Sequence, residues 1–157
     1  MKTKKTITVE LQLASQAINI PPLALFEQWA HAALIGQRDK AILCIRIVDE
    51  PESAELNTTY RHKQGPTNVL SFPFEPSIGL TIEQDYLGDM VICAPIVQRE
   101  AKEQAISDNA HWAHMTVHGV LHLLGFDHIN EQDAALMEQL EAKILMQLGF
   151  NNPYDGA

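Results

Sequence analysis

The sequence predicts an α/β protein: a single-layer mixed sheet of about four strands, mostly parallel with one antiparallel, packed with about five helices. Three observations carry that expectation. Residues 6–13 (TITVELQL) alternate apolar and polar side chains, the period-two pattern of a half-buried strand. Pro21 and Pro22 then open a segment in which Leu23, Phe26, Ala30, Ala33 and Leu34 recur at helical spacing before Gly36. Residues 41–48 (AILCIRIV) are rich in β-branched side chains and alternate imperfectly, as a central strand does. A strand, a helix and a strand in that order pair the two strands in parallel through a right-handed crossover.

The later elements follow in order. Residues 52–61 read as a short helix, Gly65 and Pro66 break the chain, and residues 68–74 (NVLSFPF) resume as a strand whose Pro73 points to a sheet edge or a strand end. A loop of glycine, proline and polar residues leads to residues 86–93 (YLGDMVIC), a strand placed to return antiparallel to its predecessor. Pro95 announces a helix over 96–106, and residues 109–124 form the next. Asn130 with Asp133 caps a last helix, whose Met137, Leu140, Ile144 and Leu148 make one apolar stripe before Gly149.

A length of 157 residues and an apolar content of 46% suit a single domain over residues 1–157. No apolar run approaches the roughly 18 residues of a membrane span, and MKTKKTITVE lacks the apolar core of a signal peptide. The expectation is a cytoplasmic protein without membrane contact. Cys44 and Cys93 are isolated thiols in apolar, strand-like contexts, expected to be buried and reduced.

The segment HGVLHLLGFDH, residues 118–128, carries the chemistry. Residues four apart lie on one face of a helix, so His118 and His122 turn two imidazoles toward a common point. Gly125 supplies the left-handed position at which a helix stops, and the reversal can return His128 to the same point. Three imidazole nitrogens with an open fourth position are the catalytic arrangement of one zinc ion, whose predicted fourth ligand is water. The segment fits the metzincin frame H-E-x-x-H-x-x-G-x-x-H at every metal position, but Gly119 stands where that frame has its general-base glutamate. A standard protease is therefore not expected. Gly119 is read instead as leaving room beside the metal. A substrate that already carries negative charge needs less from a base, because zinc alone brings water to a pKa near 7.

The motif resembles the signature H-G-x-L-H-L-x-G-y-D-H of the YbeY family, bacterial metal-dependent endoribonucleases of ribosomal RNA maturation. Here it is met by His118, Gly119, Leu121, His122, Leu123, Gly125, Asp127 and His128. The resemblance extends to LNTTYRHKQGPTNVLSFPFE, residues 56–75, and to LGDMVI, residues 87–92. Phe126 stands where tyrosine is commoner, and Asn68 where many members have aspartate. The resemblance implies a single-strand-specific ribonuclease acting on ribosomes and on the 3′ end of small-subunit rRNA.

Outside the metal ligands, Arg61 is the leading catalytic candidate. A phosphodiester transition state gathers charge on nonbridging oxygens, and a guanidinium bonds two of them at once. From sequence alone a helix-end arginine meeting backbone carbonyls is as good a reading; the resemblance, in which an arginine at this motif position is important, tips the balance. Lys63 is a weaker phosphate contact. His114, one turn before His118, either lines the cleft, contacts RNA or serves as a proton carrier, or is a packed or solvated polar residue near the helix start. Asp127 either accepts a hydrogen bond from a ligand histidine or bonds its own turn, and the same proposal extends to Asp89.

The net charge of −9 argues against unaided electrostatic gripping of free RNA. Basic residues nevertheless gather before residue 65, with Lys2, Lys4, Lys5, Arg38, Lys40, Arg46, Arg61 and Lys63, while Glu131, Asp133, Glu138 and Glu141 crowd the C-terminal segment. An enzyme that meets rRNA on a preassembled small ribosomal subunit, helped by ribosome-associated proteins, fits that balance. Two other functions remain open at this point: a zinc peptidase or amidase with a base from elsewhere, such as Asp127, and a noncatalytic assembly factor in which zinc ties helix to turn.

Overall fold

The computed structural model describes residues 6–74, 85–127 and 130–154. His128, the basic residues before position 6 and most of the loop expected ahead of residue 86 lie outside them.

Among the described residues the order is β1 (Thr6–Ala14), α1 (Leu23–Leu34), β2 (Lys40–Val48), α2 (Glu50–Arg61), β3 (Val69–Pro73), β4 (Tyr86–Cys93), α3 (Ala94–Gln104), α4 (Asp108–Leu123) and α5 (Glu131–Gln147). The strands form one sheet in the order β1-β2-β4-β3. β1 and β2 run parallel, as do β2 and β4, whereas β3 returns antiparallel along β4. The predicted mixed α/β architecture is the one observed. β3 is an edge strand, and Pro73 is its last residue, where no ladder N–H is needed.

Alternation along the strands divides the core into two faces. Leu43, Ile45, Ile47, Met90 and Ile92 join the larger cluster, with Phe26 and Trp29 of α1, Trp112, Val117 and Leu121 of α4, and Met137 and Leu145 of α5. Phe26 lies edge-on to both Trp29 and Trp112, with ring centroids 5.5 and 5.8 Å apart, and so locks α1 onto α4. Val48, Leu70, Val91 and Cys93 point the other way, toward Leu56 of α2 and Ile96 of α3. α4 is thus held between the sheet and neighbouring helices. Cys44 and Cys93 are buried free thiols, and burial pushes both above the ordinary thiol range.

Two helices depart from their expected bounds for local reasons. α2 begins at Glu50 rather than 52, with Pro51 in its first turn. Asp49 sits at the N-cap position, but its carboxylate takes hydrogen bonds from the Ser15 hydroxyl and the Gln16 amide, a tertiary use that displaces capping. α3 begins at Ala94, so Pro95 lies inside its first turn, where no N–H is missed, and it ends at Gln104 because Ala105 adopts the left-handed φ of 58°. No helix among the described residues is long and apolar enough to cross a membrane.

Candidate metal centre and cleft

α4 is set by its ends. Ser107 caps it by accepting from the Ala110 amide at 3.1 Å. At the other end Gly125, at φ 104°, donates to His122 O at 3.0 Å and Phe126 donates to Leu121 O at 3.0 Å, the paired bonds of a glycine-terminated helix. The chain turns where the sequence said it would.

Within this helix His118 and His122 converge: their Nε2 atoms are 3.1 Å apart. Tetrahedral zinc bound at about 2.0–2.1 Å sets two imidazole nitrogens roughly 3.3 Å apart, so the pair fits such an ion. Among the described residues no cluster of three or more His, Cys, Asp or Glu is poised for a metal, the third expected ligand being outside them.

The far side of His118 is held by a residue that the motif does not contain. Glu141 of α5, 1% exposed, accepts from His118 Nδ1 at 2.9 Å. Its other oxygen meets His114 Nε2 at 2.6 Å and takes the Tyr154 hydroxyl at 2.6 Å. Burial alone would raise this carboxyl, but the bonds from His114, His118 and Tyr154 outweigh it and hold the pKa down to about 2. Burial and the Glu141 charge push the Tyr154 phenol upward, so it stays a donor. The sequence signal was present: Glu141 interrupts the apolar stripe of α5 four residues after Met137 and three before Ile144.

A cleft of about 460 Å³ opens on the other side of the histidines, along the β3 edge. His118, His122 and Asp127 line it together with Arg61, Lys63, Asn57, Asn68 and Ser71. Arg61 reaches the cleft because α2 ends there. His62 takes a left-handed φ of 57°, and the following loop is tied back by Asn57 Nδ2 to Gly65 O at 2.9 Å and by Ser53 Oγ to Thr67 O at 2.9 Å.

The other predicted residues divide. Asp127 is exposed at the cleft wall. His114 is not among the lining residues of this cleft; it packs behind His118 against Glu141 and edge-on to Tyr154. Asp89 is not brought to the histidines. In β4, Met90 faces α4, and its neighbours Asp89 and Val91 face the opposite side, where Asp89 accepts from the Tyr86 hydroxyl. The reading of Gly119 is also corrected. Its missing side chain faces the sheet rather than the metal, since a Cβ there would stand 2.3 Å from Met90 Cε and 3.2 Å from Ser71 Oγ.

Residues 11–149 match the family described as Endoribonuclease YbeY. The chain belongs to the YbeY family. Endoribonuclease YbeY of Nitrosococcus oceani is 51% identical over 150 residues, covering 96% of this chain and 98% of that protein. The protein of the same name from Coxiella burnetii is 51% identical over 152 residues, covering 95% and 99%. In fold, this YbeY-family chain is similar to a Thermotoga maritima protein solved in solution, with a TM-score of 0.55 and 20% identity over 93% of this chain and 99% of that one.

Proposed function

We propose that the protein is a single-strand-specific, zinc-dependent endoribonuclease that hydrolyses RNA phosphodiesters in 16S rRNA 3′-end maturation and ribosome quality control. The observation that carries this reading is one cleft lined both by a converging histidine pair and by Arg61 and Lys63. Family membership supports the ribonuclease class.

His118 and His122, with His128, would hold the ion. When bound, zinc supplies Lewis-acid charge stabilisation and acidifies water. The chain's own residues do the rest. Glu141 keeps a proton on His118 Nδ1, leaving Nε2 as the donor atom that faces His122. Arg61 offers a planar fork to two nonbridging oxygens and shares the charge that develops there, while Lys63 adds a point charge beside it. The polar side chains of Asn68 and Ser71 give a strand of RNA partners along the β3 edge.

A net charge of −9 supports meeting this substrate on the small ribosomal subunit, with ribosome-associated proteins, rather than free in solution. The peptidase reading, which takes its base from elsewhere, such as Asp127 at the cleft wall, has less support, because the family whose model matches is described as an endoribonuclease. The test is cleavage by zinc-loaded protein of matched single-stranded RNA, duplex RNA and a peptide library. Cutting confined to single strands, abolished in a folded His118→Ala variant, is expected; peptide cleavage, or RNA cleavage untouched by that variant, would overturn the reading. The ends of the cleaved RNA distinguish direct attack by water from attack by the ribose 2′-hydroxyl, which leaves a cyclic phosphate.

A further inference from the structure

We propose that Glu141 is the positioning residue of the metal centre: its carboxylate fixes the tautomer and direction of His118, and His114 and Tyr154 hold that carboxylate in place. The inference rests on the zinc reading above and goes beyond the histidine motif, since Glu141 lies 23 residues from His118 and on a different helix.

Four observations support it. Glu141 is 1% exposed in a stripe where Met137, Ile144 and Leu145 are apolar and buried, a place that an apolar side chain would fill without desolvating a charge. Its two oxygens are divided: one serves His118 alone at 2.9 Å, and the other serves His114 at 2.6 Å and Tyr154 at 2.6 Å. With the Nδ1 proton held there, the lone pair of His118 is on Nε2, the atom 3.1 Å from its counterpart on His122. The partners of Glu141 are themselves anchored. His114 shares α4 with the ligands, and the Tyr154 ring stands edge-on to His114 with centroids 5.5 Å apart. The residues after α5 are thereby joined to the metal centre, although they supply no ligand.

A carboxylate behind a ligand imidazole fixes the ring and raises its basicity, and its loss weakens metal affinity by about 10–100-fold. The test uses the full chain in three forms: wild type, Glu141→Gln and His122→Ala, each checked to be folded by circular dichroism. Zinc affinity is measured by competition with a chromophoric chelator. In parallel, nitrogen-15 imidazole spectra of the metal-free protein are recorded at a pH where the histidines are neutral. The expected results are a 10–100-fold weaker zinc affinity in Glu141→Gln and a His118 proton on Nδ1 in the wild type that redistributes between both nitrogens in the variant. A merely structural carboxylate would leave the tautomer unmoved. Equal zinc affinity in wild type and Glu141→Gln overturns the proposal. So does a wild-type His118 protonated on Nε2, a measurement that stands even should the variant not fold. A wild type that binds zinc no better than His122→Ala sinks the metal centre itself, a failure distinct from the other two.

Discussion

The Ser71 hydroxyl donates to the carbonyl oxygen of Gly119 at 3.1 Å, tying the edge strand β3 to the middle of α4. That bond needs the helix close to the sheet, and the approach is closed by Met90, whose Cε would stand 2.3 Å from a β-carbon at position 119. Met90 is flexible but fully buried, so admitting that carbon turns its thioether end away and presses it on its neighbours.

Gly119→Ala is therefore expected to destabilise the protein. The gain in helix propensity of about 1 kcal/mol is outweighed by overpacking that costs about 1–3 kcal/mol. A net loss of up to about 2 kcal/mol should appear as a lower urea midpoint with an unchanged slope. Gly119→Glu, which restores the protease frame in sequence, is expected to yield no peptide hydrolysis, because its side chain enters the sheet interface rather than the cleft.

Arg61→Ala is expected to leave stability within about 0.5 kcal/mol, since the side chain is exposed at a helix end. Its effect should fall on turnover of single-stranded RNA, with kcat reduced about 100- to 1000-fold as for removal of one charge-stabilising donor. Arg61→Lys should recover only part of that loss, because a point charge lacks the two-pronged geometry. Single-turnover cleavage alongside a thermal melt checks both statements.

Glu141 gives metal-free protein a pH dependence of known sign. Its folded pKa of about 2 lies below the ordinary 4.5, so the stabilisation is fully present above about pH 4.5 and is lost as the pH falls toward 2. The size is on the order of 3 kcal/mol for this buried group. Urea midpoints taken from pH 7 down to pH 2 should fall across that window, and Glu141→Gln should flatten this part of the curve.

Zinc is expected to raise the melting temperature of chelator-treated protein, by a stabilisation of about 2.7 kcal/mol when free zinc is 100 times the dissociation constant. His122→Ala should abolish the increment. Calorimetry with and without zinc reads it directly.

Asp89→Asn is expected to leave zinc affinity and the cleavage of short single-stranded RNA unchanged, because this carboxylate lies across the sheet from the histidines. A loss of zinc binding in that variant would show that the two faces communicate.

Much of this architecture was legible along the chain. The strand of residues 86–93, the crossover helix of 23–34, the Asn130 cap and the Gly125 stop all depend on residues within one turn or one strand of each other, and each was found where the pattern placed it. His118 and His122 were legible for the same reason, being four apart on one helix. Asp89 was misplaced because a position in a motif says nothing about which side of a sheet the residue faces; that is set by the register of β3 on β4.

The sequence alone determined the local geometry: helices, strands, caps and an imidazole pair, all consequences of short-range sterics and hydrogen bonding. Only the tertiary structure decided what stands behind and beside that pair. Packing of α5 on α4 delivers Glu141 to His118, close contact of α4 with the sheet gives Gly119 its purpose, and the end of α2 brings Arg61 into the cleft. Those relations join residues tens of positions apart. They arise because burying the apolar faces of separate elements fixes the elements against one another, and no local pattern encodes the outcome.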